Sequence, residues 1–149
     1  MANAYTQILY HIVFFTKDRA AVLRENRREE FFRYAWGIHQ QLNCHLYRIN
    51  AMDDHMHILM SLHPSLALAD YMRELKTGTS RWISEEGVFL GFNGWQAGYG
   101  AFTVSAGEQD AVIRYIKDQQ QHHQHTDYLE EYRRMLSEAK IKYDEKYIA

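Results

Sequence analysis

Apolar residues change their period several times along this chain, and the changes mark out its elements. Residues 5–16 are dense in β-branched and aromatic side chains and predict a strand with a largely buried stretch. Asn26 is placed to cap a helix running to about residue 42, with Phe31, Phe32, Ala35, Ile38 and Leu42 on one stripe. Residues 44–52 and 55–62 read as two strands. Asp53 and Asp54 between them predict a tight turn, and so a hairpin.

A second helix opens at Ser65 or Ala67 and passes through Tyr71, Leu75 and Thr79 to about Ser84. Glycines punctuate residues 87–100 as a long loop, and residues 101–104 form a short strand. Ser105 and Glu108 have the spacing of a capping box, which starts a helix carrying Val112, Ile113, Tyr115, Ile116 and Gln119. A charged helix from about residue 127 to 140 ends the pattern. The order strand, helix, strand, strand, helix, strand is the split βαβ arrangement of a ferredoxin-like α+β sandwich with an antiparallel sheet. Two helices follow it. The first two helices are expected to cover one sheet face, leaving the other open to a substrate or another subunit.

A length of 149 residues sets one domain over 1–149, long enough to bury a core. Lys and Arg total 17 against 19 Asp and Glu, a net charge of −2. Any contact with nucleic acid must therefore come from a local basic patch and not from overall charge. The lone Cys44 excludes an internal disulfide and a multi-thiolate zinc site, and fits a reducing cytosol. The first residues show no basic segment followed by an apolar one, and no apolar run approaches the ~20 residues of a membrane span. The expected location is cytoplasmic.

His55, Met56 and His57 are the most informative stretch. On a strand, residues two apart share a face about 7 Å apart, so both imidazoles converge while Met56, Ile58 and Met60 point away. Such a pair is half of a divalent-metal site, or else lines a polar sheet face. Tyr115 and Gln119 lie four apart on the expected helix, about 6 Å along its axis. Tyr115 suits a nucleophile toward phosphorus and Gln119 a third ligand through its amide oxygen. Equally, Tyr115 can pack on the sheet while Gln119 is solvated.

Asp53 and Asp54 suit the hairpin turn better than a role in orienting the histidines. His122, His123 and His125 sit among glutamines as a polar helix end and are not read as ligands. Lys17 and Arg19, and on the second helix Arg73, Lys76 and Arg81, are candidate DNA-backbone contacts, with Thr77 and Ser80 nearby. Trp82, Phe92, Trp95 and Tyr99 are candidate aromatics for stacking on bases.

Three ordered segments carry a family resemblance. They are Tyr10 through Arg19, Asp54-His55-Met56-His57-Ile58-Leu59, and Trp95 through Ser105 followed by Tyr115-Ile116-Lys117-Asp118-Gln119. Together they resemble the small HUH-superfamily tyrosine transposases of single-strand insertion sequences, including domesticated relatives associated with repetitive palindromes. The ferredoxin-like order is also that family's fold.

The resemblance implies that His55, His57 and Gln119 hold one Mg²⁺ or Mn²⁺. It implies that Tyr115, on a C-terminal catalytic helix, attacks single-stranded DNA to give a 5′-phosphotyrosine and a free 3′-OH. It further implies DNA with hairpin or palindromic ends as partner. The implied assembly is a homodimer in which one subunit's histidines meet the other's tyrosine helix. An imidazole-rich site suits Mn²⁺ at least as well as Mg²⁺.

Two other readings compete with a DNA transposase. One is a domesticated palindrome-binding protein without transposition. The other is a histidine-triad hydrolase, which needs a further histidine where this chain has Leu59.

Overall fold

The computed structural model describes residues 4–122 and 128–148. Its strands are β1 (Leu9–Phe15), β2 (His45–Ala51), β3 (His55–Ser61) and β4 (Gly100–Val104). They form one sheet in the order β2-β3-β1-β4, antiparallel throughout. This is the expected ferredoxin-like sheet. The helices are α1 (Arg28–Gln41), α2 (Leu68–Glu86), α3 (Gln109–Lys117), the four-residue α4 (Gln119–His122) and α5 (Tyr128–Glu138).

Strand alternation divides the sheet into two chemistries. Ile12, Phe14, Met56, Ile58 and Met60 point to one face, where they pack with Phe31, Ala35 and Ile38 of α1 and Tyr71, Met72, Leu75 and Ile83 of α2. His11, Val13, Phe15, His55 and His57 lie on the other. The register puts Phe15 opposite His55 and Val13 opposite His57, so the histidine face is continuous across β1 and β3.

That second face is not open, contrary to the expectation. Val13 and Phe15 pack against Tyr128, Leu129, Tyr132 and Leu136 of α5 in a second apolar cluster. The period of residues 128–138 alone shows a charged amphipathic helix and not the surface it covers. Close approach of α5 needs Gly100: a Cβ there would stand 2.6 Å from the Tyr132 hydroxyl and 2.8 Å from its ring.

Element boundaries shift where local chemistry differs from propensity. Asn26 does not cap α1; it sits inside a 3₁₀ turn over Glu25–Arg27, and Arg27 is the N-cap. The second helix begins after Ala67 and ends at Gly87 in the left-handed conformation (φ 62). The capping box of Ser105 and Glu108 is present, but it opens a 3₁₀ turn ahead of α3.

The single helix expected through Gln119 is broken at Asp118. There the Asn50 side chain donates to the carbonyls of Ile116 at 2.7 Å and Lys117 at 3.5 Å, inserting into the helical ladder. His123, His125 and the expected helix start at Asp127 lie outside the described residues.

Candidate active site

His55 and His57 project from β3 with ring centroids 5.1 Å apart, and both are fully buried. Rings enclose them. Tyr128 stacks on His55 at 4.2 Å and stands edge-on to His57 at 4.9 Å, and Phe15 lies 5.6 Å from His55. His11 of β1 stacks on His57 at 5.2 Å. The Tyr115 ring on α3 stands edge-on to both His57 and His11, at 5.9 Å from each. Gln119 is fully buried, and its amide donates to the Tyr115 carbonyl at 3.2 Å. The residues singled out in sequence as nucleophile and ligands therefore form one cluster within one chain.

Asn50 explains how α3 reaches this position. It faces the histidine side of β2, opposite His57, and is buried. Besides holding the end of α3, it exchanges two 3.0 Å amide bonds with Gln120, its Nδ2 donating to Oε1 and its Oδ1 accepting from Nε2. Helix-terminal carbonyls that would otherwise lack partners are thereby satisfied from the sheet.

Hydrogen bonds around the histidines set their tautomers. His55 Nδ1 donates to Asp54 Oδ1 at 2.7 Å, because an ionised carboxylate only accepts. Its Nε2 then carries the lone pair and is buried in the cluster. Asp54 is itself held by Arg19, 3.1 Å from its Oδ2. Burial raises the Asp54 pKa, but His55 and Arg19 outweigh it and leave the carboxyl below its usual range. Asp54 is thus a turn residue and also the group that orients His55, the role the sequence reading disfavoured.

His57 Nδ1 lies 3.0 Å from His11 Nε2. Burial lowers the His11 pKa to about 4 and lowers that of His55, so both rings are neutral near pH 7. A neutral His11 can accept from His57, leaving His57 Nε2 as a donor to a metal. This donor set fits a divalent ion: two oriented imidazoles whose Nδ1 atoms are hydrogen-bonded, with the buried amide of Gln119 on the Tyr115 segment that packs against them. Among the described residues no three His, Cys, Asp or Glu cluster as a metal site.

Glu131 of α5 was not visible as a site residue in the sequence. It accepts from the Tyr115 hydroxyl at 2.5 Å and is almost completely buried. Burial pushes the phenol well above its ordinary pKa. The Glu131 hydrogen bond and charge push it further, and hydrogen bonds with Gln119 and Tyr128 only partly oppose this. Nothing local marks a glutamate in a charged helix as different from its neighbours.

A cavity of about 490 Å³ opens beside His55, lined by Arg19, Arg28, Asp53, Asp54, Gln120 and Tyr128. The other candidate basic residues are dispersed. Lys17 is exposed, and Arg73 pairs with Asp70 at 2.9 Å. Lys76 is half-buried and donates to the carbonyls of Gln96 at 2.9 Å and Gly98 at 2.6 Å, which ties α2 to the loop before β4. Arg81 is exposed and lines a second cavity with Lys76, Thr77 and Ser80. Of the candidate stacking aromatics, Trp82, Phe92 and Trp95 pack against the core, and Tyr99 remains on the surface.

An α+β sheet of ferredoxin-like order thus carries a strand-borne His-x-His and a helical tyrosine that converge on one face, and the family to which the sequence belongs is one of DNA-processing enzymes. The chain belongs to the IS200-like transposase family, whose model matches residues 4–119. It is 26% identical over 118 residues to the ISDra2 transposase TnpA of Deinococcus radiodurans, an alignment covering 76% of this chain and 84% of that protein.

Two solved structures share the fold. One, of a protein classed as a transposase from D. radiodurans, has a TM-score of 0.60 at 23% identity, covering 80% of this chain and 96% of the other. The second, a REP-associated tyrosine transposase bound to a REP hairpin, has a TM-score of 0.62 at 13% identity, covering 83% and 73%. The family match ends at Gln119, so α5 and Glu131 lie beyond it. Among the described residues no helix is long and apolar enough to cross a membrane.

Proposed function

We propose that this protein is a metal-dependent single-stranded DNA endonuclease and strand transferase that acts through Tyr115 during transposition. The observation that carries the reading is the convergence of half-buried Tyr115 with buried His55, His57 and Gln119, with Tyr115 and His57 ring to ring at 5.9 Å. In the reaction, Tyr115 Oη bonds to the scissile phosphorus, the P–O3′ bond breaks, and the departing O3′ takes up a proton from water. The products are a 5′-phosphotyrosine and a free 3′-OH. Because the ester retains the bond energy of the phosphodiester, a 3′-OH can later attack it and rejoin DNA without a nucleotide cofactor.

The phenol proton has a defined destination. Glu131 Oε1, 2.5 Å away, accepts it as the oxygen attacks. Metal dependence is general in this family, and His55, His57 and Gln119 are the residues that would hold Mg²⁺ or Mn²⁺. A bound ion supplies Lewis-acid polarisation of a phosphate oxygen. Asp54 and His11 keep the two imidazoles oriented toward that task.

Hairpin-bearing single strands are the proposed substrate, supported by the hairpin-bound relative that shares this fold. Lys17, Arg19, Arg73 and Arg81 are the proposed backbone contacts, and Lys76 contributes chiefly by fixing the loop. Closeness of Tyr115 to the histidines of its own chain supports a site assembled in cis, so a homodimer would not be needed to complete it.

Tyr115→Phe removes the nucleophilic oxygen and leaves the ring contacts in place. It is expected to abolish covalent protein–DNA adducts on a hairpin-bearing single strand while hairpin binding persists. Adducts that survive the substitution would show that another residue is the nucleophile. Hairpin binding without any wild-type adduct would instead favour a palindrome-binding protein that has lost transposition.

A further inference from the structure

A cavity of about 330 Å³ lies on the histidine side of the sheet and is lined by Phe15, Tyr99, Tyr132 and Tyr147, with residues 96–98 and Ile148 forming the rest of its wall. It is distinct from the opening beside His55 but shares a wall with the candidate site. Phe15 is 5.6 Å from the His55 ring on one side and 5.3 Å from Tyr132 on the other. Two of its tyrosines are unusually exposed for aromatic residues, Tyr147 at 69% and Tyr99 at 38%.

Cations stand against both ends of the ring lining. The Arg19 guanidinium lies over Phe15 at 5.6 Å, and Lys76 Nζ lies over Tyr99 at 5.9 Å. A purely apolar ligand has no use for flanking positive charge, and a free phosphate has no use for four rings. A nucleotide uses both, with its base against the aromatic faces and its phosphate toward Arg19, while Lys76 holds the Gln96–Gly98 wall through their carbonyls.

We infer that this aromatic cavity, which opens beside the covered histidine pair, seats one unstacked base of the single strand. The base belongs to a nucleotide close to the scissile phosphate, because Phe15 belongs to both sites. The inference rests on the proposed single-strand cleavage reading. Gly98, with φ 89, holds a backbone conformation that L side chains rarely adopt, and as a cavity wall it lets a flat ring approach the main chain. Gln96 brings an amide, the side-chain group that can both donate to and accept from a base edge. Stacking supplies affinity for any base, and the amide supplies a preference among them.

The test is an abasic scan. A pool of hairpin-bearing single strands with randomised flanks is trapped as wild-type covalent adducts, and a recovered strand is resynthesised with one abasic position at a time. Binding is measured by fluorescence anisotropy for the wild type, Tyr99→Ala and Tyr147→Ala. The expected result is one flank position at which loss of the base weakens wild-type binding by between about 5- and 150-fold. At that same position the abasic change costs the two variants less than threefold.

A scan with no sensitive position overturns the inference, as does a sensitive position whose cost is the same in the variants. Wild-type adduct yield reports separately on the underlying reading. If adducts form and the scan is flat, the cavity assignment alone fails. If no adduct forms from any pool, both fall.

Discussion

Replacing Glu131 by Gln isolates the role of the carboxylate at the nucleophile. Gln keeps the volume of Glu and an oxygen that can accept from the Tyr115 hydroxyl, so the 2.5 Å contact can persist as an ordinary hydrogen bond. What is lost is basicity. A phenol at its ordinary pKa near ~10 is phenolate about one part in a thousand at pH 7. Burial and the neighbouring carboxylate make Tyr115 scarcer still as phenolate. On the proposed mechanism, attack by a pre-formed phenolate is therefore disfavoured, and the proton has to leave during attack.

Positioned general bases contribute about 10²- to 10⁴-fold. Glu131→Gln should accordingly slow adduct formation by at least about 100-fold. The assay is single-turnover formation of the covalent complex on a hairpin-bearing strand, read on denaturing gels at saturating protein. Hairpin affinity, Mn²⁺ binding and the melting temperature serve as controls, and each should stay close to wild type. A rate within threefold of wild type would refute the assignment. A faster rate would refute it more sharply, since it would mean that Glu131 restrains Tyr115 and does not assist it.

Three further outcomes are expected. Asp54→Ala removes the acceptor that fixes His55 Nδ1, so Mn²⁺ affinity followed by paramagnetic resonance titration should fall about 10- to 100-fold with little change in melting temperature. Asn50→Ala leaves the end of α3 and Gln120 without their sheet partner. It should cost about 1–3 kcal/mol in chemical denaturation and slow adduct formation by loosening the Tyr115 helix. Stability should also fall with acid. His39 donates from Nδ1 to the Ala35 carbonyl and its Nε2 accepts from the Tyr71 hydroxyl, and burial lowers its pKa below the ordinary imidazole value of about 6.5. The unfolded chain then binds more protons than the folded one below about pH 6.5. The melting temperature should drop from pH 7 to pH 5, and His39→Gln should make that drop shallower.

The sheet and its helices were legible because the apolar period changes from 2 to 3.6 and back at each boundary, and the hairpin carries an Asp-Asp turn. The placement of His55 and His57 on one strand face, with Tyr115 on the helix after the capping box, was legible as well, since each sits in a recognisable local frame. What escaped were long-range partnerships. His11 lies 46 residues from His57, and Glu131 lies 16 from Tyr115, so no spacing rule joins them. The helix break at Asp118 was hidden for the same reason, because its cause is Asn50 on a distant strand. Asp54 misled differently. Its propensity for a turn explained it fully, so the second role through the His55 ring added no signal of its own.

One cross-strand row shows how these partnerships are built. Asn50, His57, Val13 and Gly100 are neighbours across β2, β3, β1 and β4 in register. Asn50 anchors α3 by its terminal carbonyls, and α3 carries Tyr115. Gly100, by lacking a Cβ, admits Tyr132 of α5, the residue next to Glu131. Between them stand the proposed ligand His57 and the apolar Val13, which α5 covers. The distance from the Tyr115 hydroxyl to Glu131, the proposed nucleophile and proton acceptor, is thus set by two side-chain choices at opposite edges of one sheet row. Any change that shifts either helix moves one member of the Tyr115–Glu131 pair while the histidines stay fixed. The sheet is therefore the rigid part of the site, and the precision of the chemistry rests on how α3 and α5 are seated upon it.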